Sequence, residues 1–129
     1  MEKIKALYLN VREEKFPEVI ELNAEGSNLE TFYKLLDCNT IDIVKRSFCN
    51  GQYYIVCDDE ALIREDRKPA LSYASSDFYC NVYGNIIICK PSDHDDRDFD
   101  SLTKSDLFKL SMSTRVLVTE QGCRVVFIG

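Results

Sequence analysis

The chain has 129 residues, 45% of them hydrophobic, and carries 16 Lys and Arg against 22 Asp and Glu, a net charge of -6. That length suits one domain over 1–129, able to bury roughly two-thirds of its unfolded surface, and the apolar fraction argues against a disordered chain. The acidic balance argues against affinity for a nucleic-acid polymer, and no run of about 18 apolar residues is present to span a membrane.

Lys3 to Val11 alternates as a strand, with Ile4, Ala6, Tyr8 and Asn10 on one face. A charged turn at 13–16 leads to a second strand, Pro17 to Leu22, in which Val19 and Ile20 point to opposite sides. The two strands are expected to pair as a hairpin. Ala24, Glu25 and Gly26 break the pattern. Ser27 followed by Glu30 reads as a capping box, in which each side chain satisfies the other's backbone amide. Leu29, Phe32, Tyr33, Leu35 and Leu36 then recur at helical spacing, which predicts a helix over 28–37 with its apolar stripe in the core.

Thr40 to Phe48 is β-branched and alternating, with Ile41 and Ile43 on one side and Asp42, Val44 and Arg46 on the other. Asn50-Gly51 precedes another β-prone run, Gln52 to Cys57. An Asn-Gly pair between such runs predicts a tight hairpin, because both central turn positions need positive φ. Asp58, Asp59 and Glu60 end that strand. Residues 61–68 are charged and read as a turn or a single helical turn, and 69–83 read as irregular. Gly84 opens Asn85 to Lys90, an apolar β-branched run expected to be a buried strand.

Pro91 to Asp100 reads as a polar, acidic loop. Thr103 is the expected cap of a helix over 103–111, with Asp106 at the position where a capping box usually has Glu or Gln. Arg115 to Thr119 and Cys123 to Ile128 are the last strands, joined through Glu120, Gln121 and Gly122. If Cys123 to Ile128 lies at a sheet edge, it can pair with a second copy as a homo-oligomer. The fold class is α+β, with a mostly antiparallel sheet built from hairpins and two short helices.

Cys38, Cys49, Cys57, Cys80, Cys89 and Cys123 show no CxxC spacing, and several sit in apolar runs. They read as reduced thiols of a cytosolic protein, the more so because the N-terminus has no signal-type apolar stretch. Asp93, Asp95, Asp96 and Asp98 with His94 form an acidic run, but it lacks the glycine and distant Glu of a calcium loop, so no metal is expected. The five glycines are isolated, which excludes phosphate-cradling loops, and no cofactor is expected. His94, the single histidine, sits in a polar loop away from the cysteines, which opposes a thiol nucleophile. The cluster Asp58, Asp59 and Glu60 is the best candidate for an enzyme, a small hydrolase; its ordinary reading is the polar end of a strand.

The segment 73–83 packs Tyr73, Phe78, Tyr79 and Tyr83 into eleven residues, just after Arg64, Arg67 and Lys68. Aromatic rings beside cationic groups suit stacking on bases and pairing with phosphates, and they suit protein interfaces. The competing reading is a loop that folds its rings over the core. These seven residues are the candidate ligand- or partner-binding set, and no catalytic residue is assigned.

The succession IKALYLNV, PEVIELN, LETFYKLL, IDIVKRSFCNGQYYIVCDDEALI, YGNIIIC and SLTKSDLFKL resembles a domain-of-unknown-function family of small proteins carried by phages and mobile elements of anaerobic gut-type bacteria. The YYIVCDDEAL stretch followed by GNIII carries most of the likeness. Ala61 stands where that family more usually has Gly, and Arg67 to Val82 is individual to this chain. The resemblance implies a mobile-element setting in the host bacterial cytosol. There it implies a non-enzymatic counter-defence role, by binding a host immune protein or by sequestering a nucleotide signal. A structural accessory role for the mobile element is the further alternative.

Overall fold

Strand pairing sets the architecture. A computed structural model describes residues 3–10, 17–48, 51–60, 69–74, 79–93, 98–119 and 122–128, with the backbone alone for 48, 69–74, 79–82, 113–119 and 122–128. In chain order the elements are β1 (Lys3–Leu9), β2 (Glu18–Asn23), α1 (Leu29–Leu36), β3 (Ile41–Phe48), β4 (Gly51–Asp58), β5 (Pro69–Ala74), β6 (Tyr79–Tyr83), β7 (Ile86–Pro91), β8 (Phe99–Asp100), α2 (Lys104–Ser113), β9 (Thr114–Thr119) and β10 (Gly122–Ile128). Six strands form one sheet in the order β2-β1-β7-β4-β3, with β8 joined to β7. All of its pairings are antiparallel. The other four strands run β6-β5-β10-β9, antiparallel except for β5 beside β10. The fold is therefore α+β and mostly antiparallel, as the hairpin pattern predicts.

The six-stranded sheet is covered on both faces. Leu7, Leu9, Tyr53, Ile55, Ile86 and Ile88 pack with Leu102 and with Leu110 of α2. Ile4, Ala6, Tyr8, Val56, Ile87 and Cys89 pack with Phe32 and Leu36 of α1 and with Phe99. β7 lies at the centre, and Ile86 to Cys89 are all fully buried. This explains why its sequence is a continuous apolar run rather than an alternating one, since neither face meets water. Each such isoleucine contributes on the order of 1.5–3 kcal/mol by burial.

Two polar nodes fasten the helices to the sheet. Tyr8 donates to the Leu35 carbonyl at 2.7 Å, and Asn85 Nδ2 donates to both Tyr8 Oη and that carbonyl at 3.3 Å, which seats the end of α1. On the other face the expected Thr103 and Asp106 box forms. The Asp106 amide donates to Thr103 Oγ1 at 3.1 Å, and the Thr103 amide and hydroxyl both donate to Asp106 Oδ2 at 2.9 Å. The shorter Asp reaches back as a Glu does because Lys90 and Tyr53 hold its carboxylate in place.

Several expectations are corrected. The Ser27 and Glu30 capping box does not form. Asn28 is the N-cap residue, and its side chain accepts from the Asn23 amide at 2.8 Å and donates to the Asn23 carbonyl at 3.1 Å. The Asn28 amide closes the β2–α1 connection in this way, and the helix starts one residue later. The β3–β4 hairpin is present, but Phe48 pairs with Gly51, so residues 49–50 connect the strands and Gly51 belongs to β4. Gly51 is needed there for space: a Cβ would lie 2.9 Å from Tyr53 Oη and 3.0 Å from Tyr53 Cε2.

The segment 69–83 is not irregular, since β5 and β6 lie within it. Strand β5 is completed by parallel pairing with β10, far away in sequence, which no local pattern reveals. The same pairing places β10 between β5 and β9, so Cys123 to Ile128 is not an edge. The acidic loop is shorter than expected because Phe99 and Asp100 pair with Pro91 and Lys90. Phe99 anchors it by edge contacts with Phe32 at 6.2 Å and Tyr54 at 5.9 Å. The expected turns at 13–16 and 61–68 lie outside the described residues.

Candidate functional site

The aromatic segment is built on a β-hairpin. β5 and β6 pair antiparallel, with Tyr73 opposite Cys80 and Ala74 opposite Tyr79. Opposed residues share a face, so Tyr73 and Tyr79 stand on opposite faces of the sheet. Two-residue alternation along β6 puts Tyr79, Asn81 and Tyr83 together on one face. The fold therefore aligns Tyr79 with Tyr83 and separates both from Tyr73. The register shifts between Pro69 and Leu71, which marks a bulge where the chain enters β5. Arg64, Arg67, Lys68 and Phe78 lie outside the described residues.

Among the described strands β6 lies at one edge of its sheet, with β9 at the other. Tyr83, at its end, is partly exposed, and Gly84 follows with φ of 78°. That left-handed conformation favours glycine and turns the chain from the second sheet directly into β7, the buried centre of the first. The aromatic hairpin thus leads through Gly84 into a strand whose residues Ile86 to Cys89 are fully buried.

The acidic candidates are placed differently. Asp58 is buried and its Oδ1 accepts from the Glu60 amide at 2.9 Å, while Asp59 and Glu60 are exposed. The Asp59 amide donates to the Thr40 carbonyl at 3.2 Å, which closes the same turn against the start of β3. In the acidic loop Asp93 and Asp98 are exposed, and His94, Asp95, Asp96 and Arg97 lie outside the described residues. No group of three or more metal-ligating side chains occurs among the described residues.

Cys38, Cys57 and Cys89 are free thiols, and the side chains of Cys49, Cys80 and Cys123 lie outside those described. Burial, together with the negative charges of Asp42, Asp58 and Asp59, pushes the Cys57 thiol up to about 11. Burial alone pushes Cys89 up to about 12. Both therefore stay protonated near neutrality and serve as small apolar side chains, not nucleophiles. Asp106 behaves in the opposite way. Burial raises its pKa, but the Thr103 amide, Lys90 and the Thr103 hydroxyl outweigh this and bring it down to about 2.

One concavity escapes sequence reasoning. An open groove of about 520 Å³ at the C-terminal end of α1 is lined by Tyr33, Lys34, Asp37, Cys38 and Asn39. Asp37 adopts φ of 51° there, and the Cys38 amide donates to the Tyr33 carbonyl at 3.2 Å, so the groove is a by-product of the helix stop.

These features define a small α+β protein with a doubly covered antiparallel sheet and an attached aromatic hairpin. The chain belongs to the family described as domain of unknown function DUF3846, whose profile matches residues 4–113 and so includes β5, β6 and α2. No curated protein and no solved structure matches the chain significantly. No helix among the described residues is long and apolar enough to cross a membrane.

Proposed function

We propose that this protein is a non-enzymatic binding protein of a phage or other mobile element, acting in the host bacterial cytosol by engaging a protein of host immunity. The observation that carries this reading is the position of the aromatic segment, whose strand β6 is one of the two described edges of the second sheet. An edge strand offers backbone groups to an extended partner segment, and alternate side chains supply selectivity. Tyr79 and Tyr83 occupy alternate positions on that edge, and tyrosine is enriched where proteins meet. Arg64, Arg67 and Lys68 precede β5 in sequence and add cationic partners for an acidic surface.

Sequestration of a nucleotide signal is the second mechanism for the same residues. It requires rings that close on one base, and Tyr73 stands on the face opposite Tyr79. A single copy therefore favours the protein partner. The hydrolase alternative at Asp58, Asp59 and Glu60 is less favoured, because Asp58 already accepts from the Glu60 amide within its own turn.

The test is phage plating on a panel of bacterial strains, each carrying one defence system, with and without this protein. Restored plating in a defended strain, with no effect in undefended cells, is the expected result. Restoration in none of the strains would overturn the proposal. Calorimetric titration with cyclic and ADP-ribose-type nucleotides separates the mechanisms: binding heat would replace the protein partner with a sequestered signal.

A further inference from the structure

The six-stranded sheet ends on β3, whose outer side meets no other strand among the described residues. Charged side chains on such an edge ordinarily keep other strands away. The charges on β3 have a particular arrangement, however. Asp42 stands two residues before Val44 and Arg46 two residues after it, with Lys45 between. Their register partners on β4 are Cys57, Ile55 and Tyr53, so Asp42, Val44 and Arg46 share one face.

A second β3 laid antiparallel with the two Val44 residues opposed sets Asp42 of each chain against Arg46 of the other. Opposite charges at directly facing positions favour pairing, and like charges oppose it. Centring on Asp42, Lys45 or Arg46 instead would face like charges, and centring on Ile43 forfeits both ion pairs. On the other face Ile43 is 42% exposed, high for a large apolar residue in a strand. It would lie beside the aliphatic stem of Lys45 from the other chain, which can cover it. Arg46 Nη1 now donates to its own Lys45 carbonyl at 2.9 Å, a contact it can exchange for a carboxylate.

We propose that β3 is a self-complementary edge through which two copies of this chain join their six-stranded sheets into one continuous antiparallel sheet. The interface is isologous, as a two-fold axis through Val44 requires. It uses none of the residues of the aromatic hairpin, which belongs to the other sheet.

The test is sedimentation velocity of the full chain over a wide concentration range at low and high salt. A concentration-dependent dimer, weaker at high salt, is expected, and Asp42→Arg is expected to weaken it by about tenfold or more because like charges then face each other. The exchange variant, Asp42→Arg with Arg46→Asp, should restore association. A monomer at every concentration, an undiminished dimer in Asp42→Arg, or an exchange variant no better than the single one would overturn the proposal. Ile43→Lys guards against misfolding in the charge variants. Placed against Lys45 of the other chain it should also abolish the dimer, and an unaffected dimer in this folded variant would overturn the proposal equally.

Discussion

Lys90 Nζ, at the end of β7, lies 2.9 Å from Oδ2 of Asp106 in the first turn of α2. The same carboxylate oxygen accepts from the Thr103 amide and hydroxyl, and Oδ1 accepts from Tyr53 at 3.2 Å. One side chain therefore caps the helix and ties it to two strands of the sheet. Asp106→Ala removes a charge-assisted hydrogen-bond centre and a helix cap, and is expected to cost about 3 kcal/mol. Urea unfolding followed by circular dichroism measures it.

The pH dependence follows from the same carboxylate. Its pKa in the folded protein is about 2 against an ordinary 3.8, so folding lowers it. The stability it contributes is complete above the ordinary value and is lost as pH falls through about 2. Asp106→Asn should flatten that acid limb while leaving stability less pH-sensitive over the same interval. Unfolding curves at a series of acidic pH values in both proteins show whether it does.

Gly51 and Tyr53 make a sharper test of packing. The ring of Tyr53 is 1% exposed and its hydroxyl is held by Asp106, so it cannot swing away from a new Cβ at 51. Gly51→Ala is therefore expected to cost about 1–3 kcal/mol by overpacking. Combining it with Tyr53→Val should add much less than the sum of the two single changes, because the smaller side chain leaves room. Full additivity in the double-mutant cycle would show that the ring does not constrain position 51.

Tyr8→Phe isolates the node under α1. It deletes the hydroxyl that donates to Leu35 and accepts from Asn85, and leaves the ring in place. A loss of about 1–2 kcal/mol is expected, since Asn85 is buried and loses one partner. Hydrogen exchange should show faster opening of the last turn of α1 with little change in α2.

The cysteines give a chemical check. Cys57 and Cys89, raised to about 11 and about 12 from 9.0, should resist alkylation in the folded protein at mildly alkaline pH and react readily in denaturant. Folding raises these values, so the associated stability is present below 9.0 and is lost as pH climbs through the folded values. Peptide mass mapping after timed alkylation reads the protection directly.

Local chemistry made much of the first sheet legible. The Asn85 to Lys90 run and the Thr103 and Asp106 cap are patterns within a few residues, and the β1–β2 hairpin joins strands adjacent in sequence. In the second sheet β9 and β10 were legible as strands, but β5 was hidden because it needs β10, and a parallel pair across so long a separation leaves no local trace. Asn28 was missed for a different reason: its side chain serves the strand end at Asn23, although its position suggests the helix. Of the candidate site, the aromatic content was legible. The separation of Tyr73 from Tyr79 across the sheet was not, because it depends on the pairing register.

The most direct test of the binding role is phage plating in a defended strain with Tyr79→Ala and Tyr83→Ala beside the unaltered protein, each checked by circular dichroism for an intact fold. Restored plating by the unaltered protein and its loss in folded variants of the β6 edge is the expected result. Restoration that survives both substitutions would contradict the assignment of partner binding to that strand.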